Sequence, residues 1–468
     1  MNETKGSGRI SPGLRRVARQ ASEHPDWVLT TLAHHLDVDL LREAYRRTRK
    51  DGAVGVDGVT SAEYAQNLEG NLQDLLERAK SGRYHAPPVR RAYIPKADGS
   101  QRPLGIPTFE DKVLQRAVVM VLEAVYEQDF LPCSYGFRPG RSAHDALQAL
   151  RTAALANGGG YVLEADIRDF FGSIPHDRLR EVLAQRMRDG VLTRLIGKWL
   201  NAGVLEAGRI ERSESGSPQG GVISPLLANV YLHHVLDTWF EREVKPRLEG
   251  SAQLIRYADD FVIVFARKDD ADRVHGILPA RFAAYGLTLH PEKTKRLDFR
   301  RPGSVIAPDT FDFLGFTHAW ARTRRGGWTV KQLTAASRFA RALRVLVDWC
   351  RRNRHLPIAE QHEKLSKKLL GHCAYFGVSG NARRLAVFRW RLERIWQTWL
   401  TRRSNAMQKP WVWWDGFRRR WPLPAARIVR RAQRDLQRVF RFEEPDAVVP
   451  HVRICGKPGP ASALADPI

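Results

Sequence analysis

Residues 254–265 read LIRYADDFVIVF, an apolar, β-branched and aromatic run interrupted by two adjacent carboxylates, Asp259 and Asp260. Asp-Asp is acceptable turn chemistry in a β-hairpin, so a solvated surface turn is the plain alternative to a chemical site. A chemical site would need a partner on another strand, and Asp166, within the apolar stretch YVLEADIRDFF (161–171), is the candidate. Two metal ions about 3.5–4 Å apart can clamp an in-line phosphoryl displacement when carboxylates from separate strands converge on one point. A strand ending at Asp166 and a hairpin turn at Asp259 can supply such carboxylates. A Mg²⁺ ion held through one or two carboxylates leaves room for the phosphates of a nucleotide. Adjacent carboxylates otherwise repel each other, and a divalent cation relieves the repulsion.

The elements that must position these acids are legible in the surrounding pattern. LIRYA and FVIVF pair as the two strands of the hairpin. YIPKADGSQRPLGIP (93–107) is a second hairpin, with a D-G turn at Asp98-Gly99 and with Lys96 and Arg102 flanking its tip. Thr60 with Glu63 forms a capping box that opens a helix running to about Gly82. An amphipathic helix follows over about 108–128, and residues 27–50 carry a helical pattern ending in RRTRK. YGFRPGRSAHDAL (135–147) is a Gly/Pro loop carrying Arg138 and Arg141, with Ser142 and Asp145 capping the next helix. SPLLANVYLHHVLDTWF (224–240) is a helix with Ser224 as cap and Pro225 in its first turn. FDFLGF (311–316) is a further short strand. Strands and helices alternate irregularly over 85–317, which predicts an α+β sheet with helices on one face.

The chain has 468 residues, enough for two or three domains. It carries 76 Lys and Arg against 51 Asp and Glu, a formal +25, and an excess of this size is an electrostatic footprint for polyanions, nucleic acid above all. The excess is uneven. Between 381 and 440 there are 16 Lys and Arg against 3 acids, together with seven of the 13 tryptophans. From about 333 onward the strand signals stop, so a second, helical domain facing nucleic acid is expected, followed by a loosely ordered Pro/Gly-rich tail. About half of those tryptophans are expected to pack the small helical core. The four cysteines are scattered without metal-ligand spacing, which argues against a zinc site and for a reducing compartment. No apolar run reaches the length of a membrane span and the N-terminus is no secretory signal, so a cytoplasmic protein with no membrane partner is expected.

The blocks YIPKADGSQRPLGIP, SYGFRPGRSAHDAL, EADIRDFFGSI, GSPQGGVISPLLANVYLHHVLD, RYADDFVIV, GLTLHPEKTK and FDFLGF stand in the order found in reverse transcriptases encoded by bacterial group II introns, which also act as maturases. Over roughly residues 40–317 the sequence resembles that family, and KLLGHCAYFGVSGN (368–381) and PLPAARIV resemble its thumb and RNA-binding domain. The resemblance implies a right-hand polymerase of fingers, palm with an antiparallel sheet, and helical thumb, followed by a basic maturase-type domain. The implied divisions are a flexible arm over 1–26, fingers and palm over 27–317, thumb and RNA-binding domain over 318–442, and a tail over 443–468. It implies Asp166, Asp259 and Asp260 as catalytic, and these with Ile167 as the positions that hold two Mg²⁺ ions, with Mn²⁺ as a substitute. Lys96 and Arg102 would hold the triphosphate of a deoxynucleotide, and Gln219, with Gly220 and Gly221, would sit against nucleotide and template. Lys293 would assist pyrophosphate departure, and Phe171 would exclude a ribose 2′-hydroxyl. Arg138, Arg141, Arg418, Arg419 and Arg420 are the residues expected on RNA.

The implied partners are an RNA template, the chain's own group II intron RNA, a DNA primer or target, and deoxynucleoside triphosphates. Gly172 and Pro175 depart from the residues many relatives carry after FF, although Asp166 and Phe171 are intact. Mobile relatives often add an HNH endonuclease with paired cysteines; here only Cys455 lies beyond position 373, so no DNA-cleaving domain is expected. Two other functions fit parts of the pattern. One is a domesticated reverse transcriptase serving antiviral defence or a CRISPR locus; the other is a non-enzymatic RNA-binding splicing factor with a relic palm, against which the intact acids argue.

Overall fold

The computed structural model describes residues 11–95, 101–206, 209–211, 216, 220–303, 307–403 and 411–430. In chain order, β1 (Val89–Pro95) and β2 (Gln101–Ile106) form an antiparallel hairpin whose tip, 96–100, lies outside the described residues. Next come β3 (Tyr161–Ala165), β4 (Val204–Glu206) and β5 (Arg209–Glu211), and then the hairpin of β6 (Ala252–Tyr257) and β7 (Asp260–Phe265). Beyond them lie β8 (Lys295–Asp298), β9 (Phe311–Phe313), β10 (Phe316–Arg322) and β11 (Trp328–Thr334). These strands make three sheets, ordered β2-β1-β4-β5, β6-β7-β3-β8 and β11-β10-β9.

The second sheet is antiparallel throughout and carries the acids at its ends. Its central strands β3 and β7 are buried on both faces, which is why FVIVF is apolar at successive positions instead of alternating. Phe261, Ile263, Phe265, Leu163 and Ala165 face one core. Val262, Val264, Val162 and Ile255 face another. The helix Lys268–Ala283 covers the first face, with Val274, Leu278 and Phe282 buried. The helix Ala143–Ala156 and the β9–β11 sheet cover the second, through Leu147, Leu150, Phe311 and Val330. The expectation of helices on one face is therefore corrected: an apolar period of one rather than two needs a cover on each side.

Other boundaries also move. The expected flexible arm contains the helix Pro12–Glu23, started by Ser11 accepting from the Leu14 N–H and by Pro12 at its first position. Leu14, Val17 and Ala21, one helical stripe, are buried in the large core. The pattern at 27–50 resolves into an extended bridge at Leu29 and a helix, Val38–Arg47, capped by Asp37. The Thr60 capping box is present, but the helix stops at Ala65 and a second one runs Leu68–Ser81. The helix Ser224–Leu232 passes into wider π-type turns through Val244. The boundary expected at 318 falls inside β10, whose seven residues pair with β11.

After β11 the chain is helical, as expected: Ala336–Arg352, Ile358–Phe376, Ala382–Thr401 and Trp411–Arg420. They share a core of Leu346, Leu369, Leu385, Phe388, Leu392 and Trp396. Burial of each such side chain stabilises by about 1.5–3 kcal/mol. Trp396 and Trp414 are buried while Trp390 is 53% exposed, so the tryptophans divide between core and surface. The tail at 443–468 lies outside the described residues.

Candidate active site

The β3–β7 register ends with Ala165 opposite Phe261. One step further along each strand stand Asp166 and Asp260, so the two acids are neighbours across the ladder. On the other side Tyr257 pairs with Asp260, leaving Ala258 and Asp259 as a two-residue turn. Ala258 has φ +58°, the left-handed backbone such a turn demands at its first position. An alanine there is strained, and the surroundings must hold it.

They do so through Arg256, which is fully buried. Its guanidinium is bidentate on Asp237 (2.7 and 2.5 Å) and also donates to Asn229 Oδ1 (2.9 Å), Ser134 Oγ (2.8 Å) and the Ala258 carbonyl (3.0 Å). Burial alone would raise the Asp237 carboxyl, but the adjacent guanidinium outweighs it and holds that carboxyl below its ordinary range. Asn229 donates in turn to the Gly136 carbonyl (2.7 Å). A Cβ on Gly136 would overlap the Ala258 amide, so only glycine lets this loop lie on the acid turn. The sequence reading passed over Arg256, Asp237 and Asn229. The available signal was an arginine inside an otherwise apolar strand, since a buried charge needs a partner.

Asp260 is exposed to solvent, yet protein and two further carboxylates crowd its carboxyl. Burial, then the negative charges of Asp259 and Asp166, push its carboxyl up to about 6. The site thus concentrates negative charge that a cation would relieve. Lys293 already supplies one: its ammonium is 2.8 Å from Asp166 Oδ2. The Asp166 carbonyl accepts from the His290 N–H (2.8 Å), and the Arg168 N–H donates to the Thr288 carbonyl (2.8 Å). In that bridge the Ile167 carbonyl faces away from Leu289 and receives no backbone bond among the described residues. It can serve as a cation ligand. Among the described residues no cluster of three or more His, Cys, Asp or Glu forms a ready-made cage. Mg²⁺ sites that keep water and substrate phosphates in the coordination shell need none, and carboxylates plus one carbonyl oxygen suit that ion.

Phe171, in the short helix Phe170–Ser173, is half-buried against the large core and meets Phe170 edge-on at 5.3 Å. Gly216 is tied beside it, its N–H donating to the Ile174 carbonyl (2.8 Å) and its carbonyl accepting from His176 Nε2 (2.6 Å). Gly220, at φ +121°, lies against the Gly105 carbonyl of β2, the strand that carries Arg102. Lys96, Gln219 and the Arg102 side chain lie outside what is described.

The arginines expected on RNA separate. Arg141 is exposed, stacked over Tyr135 at 5.5 Å. Arg418, Arg419 and Arg420 are exposed at the end of the Trp411–Arg420 helix. Arg138 corrects the expectation. Its side chain is 5% exposed, paired with Glu127 (3.0 Å) and donating to the Leu131 and Ser134 carbonyls, so it anchors the loop.

Residues 94–318 match the family model described as reverse transcriptase (RNA-dependent DNA polymerase). The chain is 33% identical over 354 residues to protein YkfC of Escherichia coli (strain K12), covering 68% of this chain and 90% of that protein. It is 36% identical over 243 residues to group II intron-encoded protein LtrA of Lactococcus lactis subsp. cremoris, covering 50% of this chain and 40% of LtrA. It is 27% identical over 241 residues to nuclear intron maturase 2, mitochondrial, of Arabidopsis thaliana, covering 42% of this chain and 30% of that protein. LtrA and the Arabidopsis maturase are thus each matched over less than half their length. Among the described residues no helix is long and apolar enough to cross a membrane. An acid pair set by strand register, inside a matched polymerase domain, leads to one conclusion: the chain belongs to the reverse transcriptase family, as a relative of the proteins that group II introns encode.

Proposed function

We propose that the chain copies an RNA template into DNA by two-metal-ion nucleotidyl transfer, and that it binds its own group II intron RNA, assists its splicing and takes part in retrohoming. The observation that carries the polymerase reading is the register that sets Asp166 beside Asp260, with Asp259 in the adjoining turn and Lys293 on Asp166. In a right-hand architecture, the β1–β2 hairpin belongs to the fingers, the β6-β7-β3-β8 sheet to the palm and the helices after β11 to the thumb and RNA-binding region.

Asp166, Asp259, Asp260 and the Ile167 carbonyl would hold the two Mg²⁺ ions, or Mn²⁺ in their place. Bound there, the ions supply activation of a primer 3′-hydroxyl and neutralisation of charge on the transferring phosphoryl group. The chain's own residues do the rest. Lys96 and Arg102 bind the triphosphate, Gln219 positions the base, and Phe171 occupies the space a 2′-hydroxyl would need. Lys293 follows the charge from Asp166 to the departing pyrophosphate. Splicing assistance draws on the exposed arginines at 141 and 418–420, which bind phosphate without reading sequence and so rely on RNA shape.

Asp259→Asn tests the division of labour. DNA synthesis on an RNA template should fall by at least about 100-fold, the upper end of what even an outer partner of a metal site contributes. RNA affinity and splicing assistance should stay near wild type, because folding an RNA needs contacts and no phosphoryl transfer by the protein. Undiminished synthesis by the variant would refute the two-metal assignment.

A further inference from the structure

We infer that Asp111 and Gln115 are positioning residues for the incoming nucleotide, tethering the Gly220–Ile223 backbone to the root of the β1–β2 hairpin. The inference rests on the polymerase reading and takes from it only that a nucleotide is held between that hairpin and the acids. Both residues sit on the helix Phe109–Asp129, which begins just after β2, and both are buried, at 2% and 3% exposure. Gln115 Nε2 donates to Asp111 Oδ2 (3.0 Å), and the Ile223 N–H donates to Gln115 Oε1 (3.2 Å). The other Asp111 oxygen accepts from the Tyr84 hydroxyl and from Trp199 Nε1 (2.7 Å). Tyr84 stands before β1, and Trp199 lies near the end of the helix Gly190–Leu200 that leads to β4. The Val89 N–H of β1 donates to the Gly203 carbonyl just before β4 (3.0 Å).

The tethered stretch borders the acids by contact. Gly216 lies on the backbone of Phe171 and Gly172, where a Cβ would press on both. Those two residues follow Asp166 by five and six positions. Gly220 lies on the Gly105 carbonyl of β2. Between Gly216 and Gly220 the chain therefore passes from the segment after Asp166 to the hairpin. A nucleotide held between hairpin and acids has this passage beside it. Ile223 anchors its far end on Gln115, and the next helix opens at Ser224.

The carboxylate is what makes the tether specific. An acid in the third position of a helix commonly turns back to the cap N–H. Asp111 stands third after the Thr108 cap, yet its two oxygens go to Tyr84, Trp199 and Gln115. Burying a carboxylate among neutral donors costs hydration, a cost that asparagine of the same shape would reduce. What asparagine cannot do is accept on both oxygens. A carboxylate only accepts and a backbone N–H only donates, so Asp111 and Ile223 together admit one orientation of the Gln115 amide. In Asp111→Asn the new amide nitrogen faces Gln115 when its oxygen keeps Tyr84 and Trp199. Gln115 must then turn, and its nitrogen meets the Ile223 N–H, donor against donor.

The experiment compares the full chain with Asp111→Asn and with the swapped pair Asp111→Asn/Gln115→Glu, using a DNA primer on an RNA template. The swap moves the carboxylate one helical turn and lets each of the four hydrogen bonds form again. Asp111→Asn should raise KM for the deoxynucleotide by about 5- to 50-fold, with KM for primer–template unchanged. The swapped pair should return it to within about 3-fold of wild type, a coupling that two independent core residues would not show. Hydrogen exchange at the Ile223 amide should quicken in the single variant and slow again in the pair, which reads the tether without any chemistry. An unmoved deoxynucleotide KM in Asp111→Asn would overturn the inference. So would a rise of both KM values together with a falling Tm, or a pair that regains Tm but not KM. A wild-type chain that makes no DNA sinks the polymerase reading instead, and unchanged exchange at Ile223 in Asp111→Asn still overturns the tether by itself.

Discussion

Arg256 and Arg419 are the same side chain put to opposite uses. The first is sealed at 0% exposure behind the acid turn, bidentate on a carboxylate that is equally buried. The second is 82% exposed on a helix surface and pairs with Asp415 one turn away (2.7 Å). A buried charge acts by position: its partners leave it one arrangement, and that arrangement is transmitted to the Ala258 carbonyl. A surface charge acts by number, because its pairing is screened and can be exchanged for a phosphate. The difference separates the part of the molecule that must be accurate from the part that need only be attractive.

The sharpest way to break this contrast is to remove the buried cation. Arg256→Met strips the buried Asp237 carboxyl of its guanidinium and leaves the His233 ring, 3.8 Å away, beside it, which should destabilise the fold by about 3–5 kcal/mol, read from chemical denaturation. Adding Asp237→Leu should restore most of that stability without restoring DNA synthesis, since the Ala258 carbonyl still lacks its donor. A double variant that polymerises like wild type would show that the guanidinium does not hold the turn.

Asp111 extends the contrast to a buried acid whose side-chain hydrogen bonds come from neutral donors. It accepts from Tyr84, Trp199 and Gln115, and burial pushes it up to about 6. Its folded state keeps a proton that the unfolded chain releases above about 4. Its contribution is therefore fully present below pH 4 and is lost as pH rises through about 6, a change of roughly 3 kcal/mol. Between pH 4 and 7, denaturation of wild type and Asp111→Asn should diverge with that sign; parallel curves would place the titration elsewhere.

Phe171 stands between the extremes, half-buried and facing the nucleotide in the proposed reading. Phe171→Val should shift the ratio of kcat/KM for ribonucleotides over deoxynucleotides upward by about 10- to 100-fold on one RNA template. An unmoved ratio in a folded variant makes Phe171 a core residue only. The smallest effect belongs to the surface. Replacing Arg418, Arg419 and Arg420 together by Gln should reduce the log–log salt slope of RNA binding by roughly 2–3, with DNA synthesis on a short primer–template unchanged. An unaltered slope would mean that this run only faces solvent.

Much of the site was legible because its chemistry sits in consecutive residues. Asp259 and Asp260 interrupt an apolar run, and Asp166 ends another, so period and punctuation marked both strands. The helix Pro12–Glu23 was missed although its signals are local: a Ser-Pro start and a stripe at Leu14, Val17 and Ala21 hidden among arginines. Arg138 was misjudged for a different reason. Its charge reads as surface until Glu127 and two carbonyls are known to surround it.

What the sequence determined by itself is therefore the kind of chemistry and its local frame: one acid at the end of a strand, two at a hairpin turn, a second hairpin earlier in the chain, and a basic helical region after the last strand. These follow from side-chain type and from periods of one, two or 3.6 residues, which need no distant contact. Only the tertiary structure decided which partner each of these cations meets. Arg256 meets Ser134, 122 positions away, and Lys293 meets Asp166, 127 positions away. Whether a charge is buried with a partner or left to bind phosphate depends on such long-range neighbours, because desolvation and pairing are properties of a place in space and not of a place in the chain.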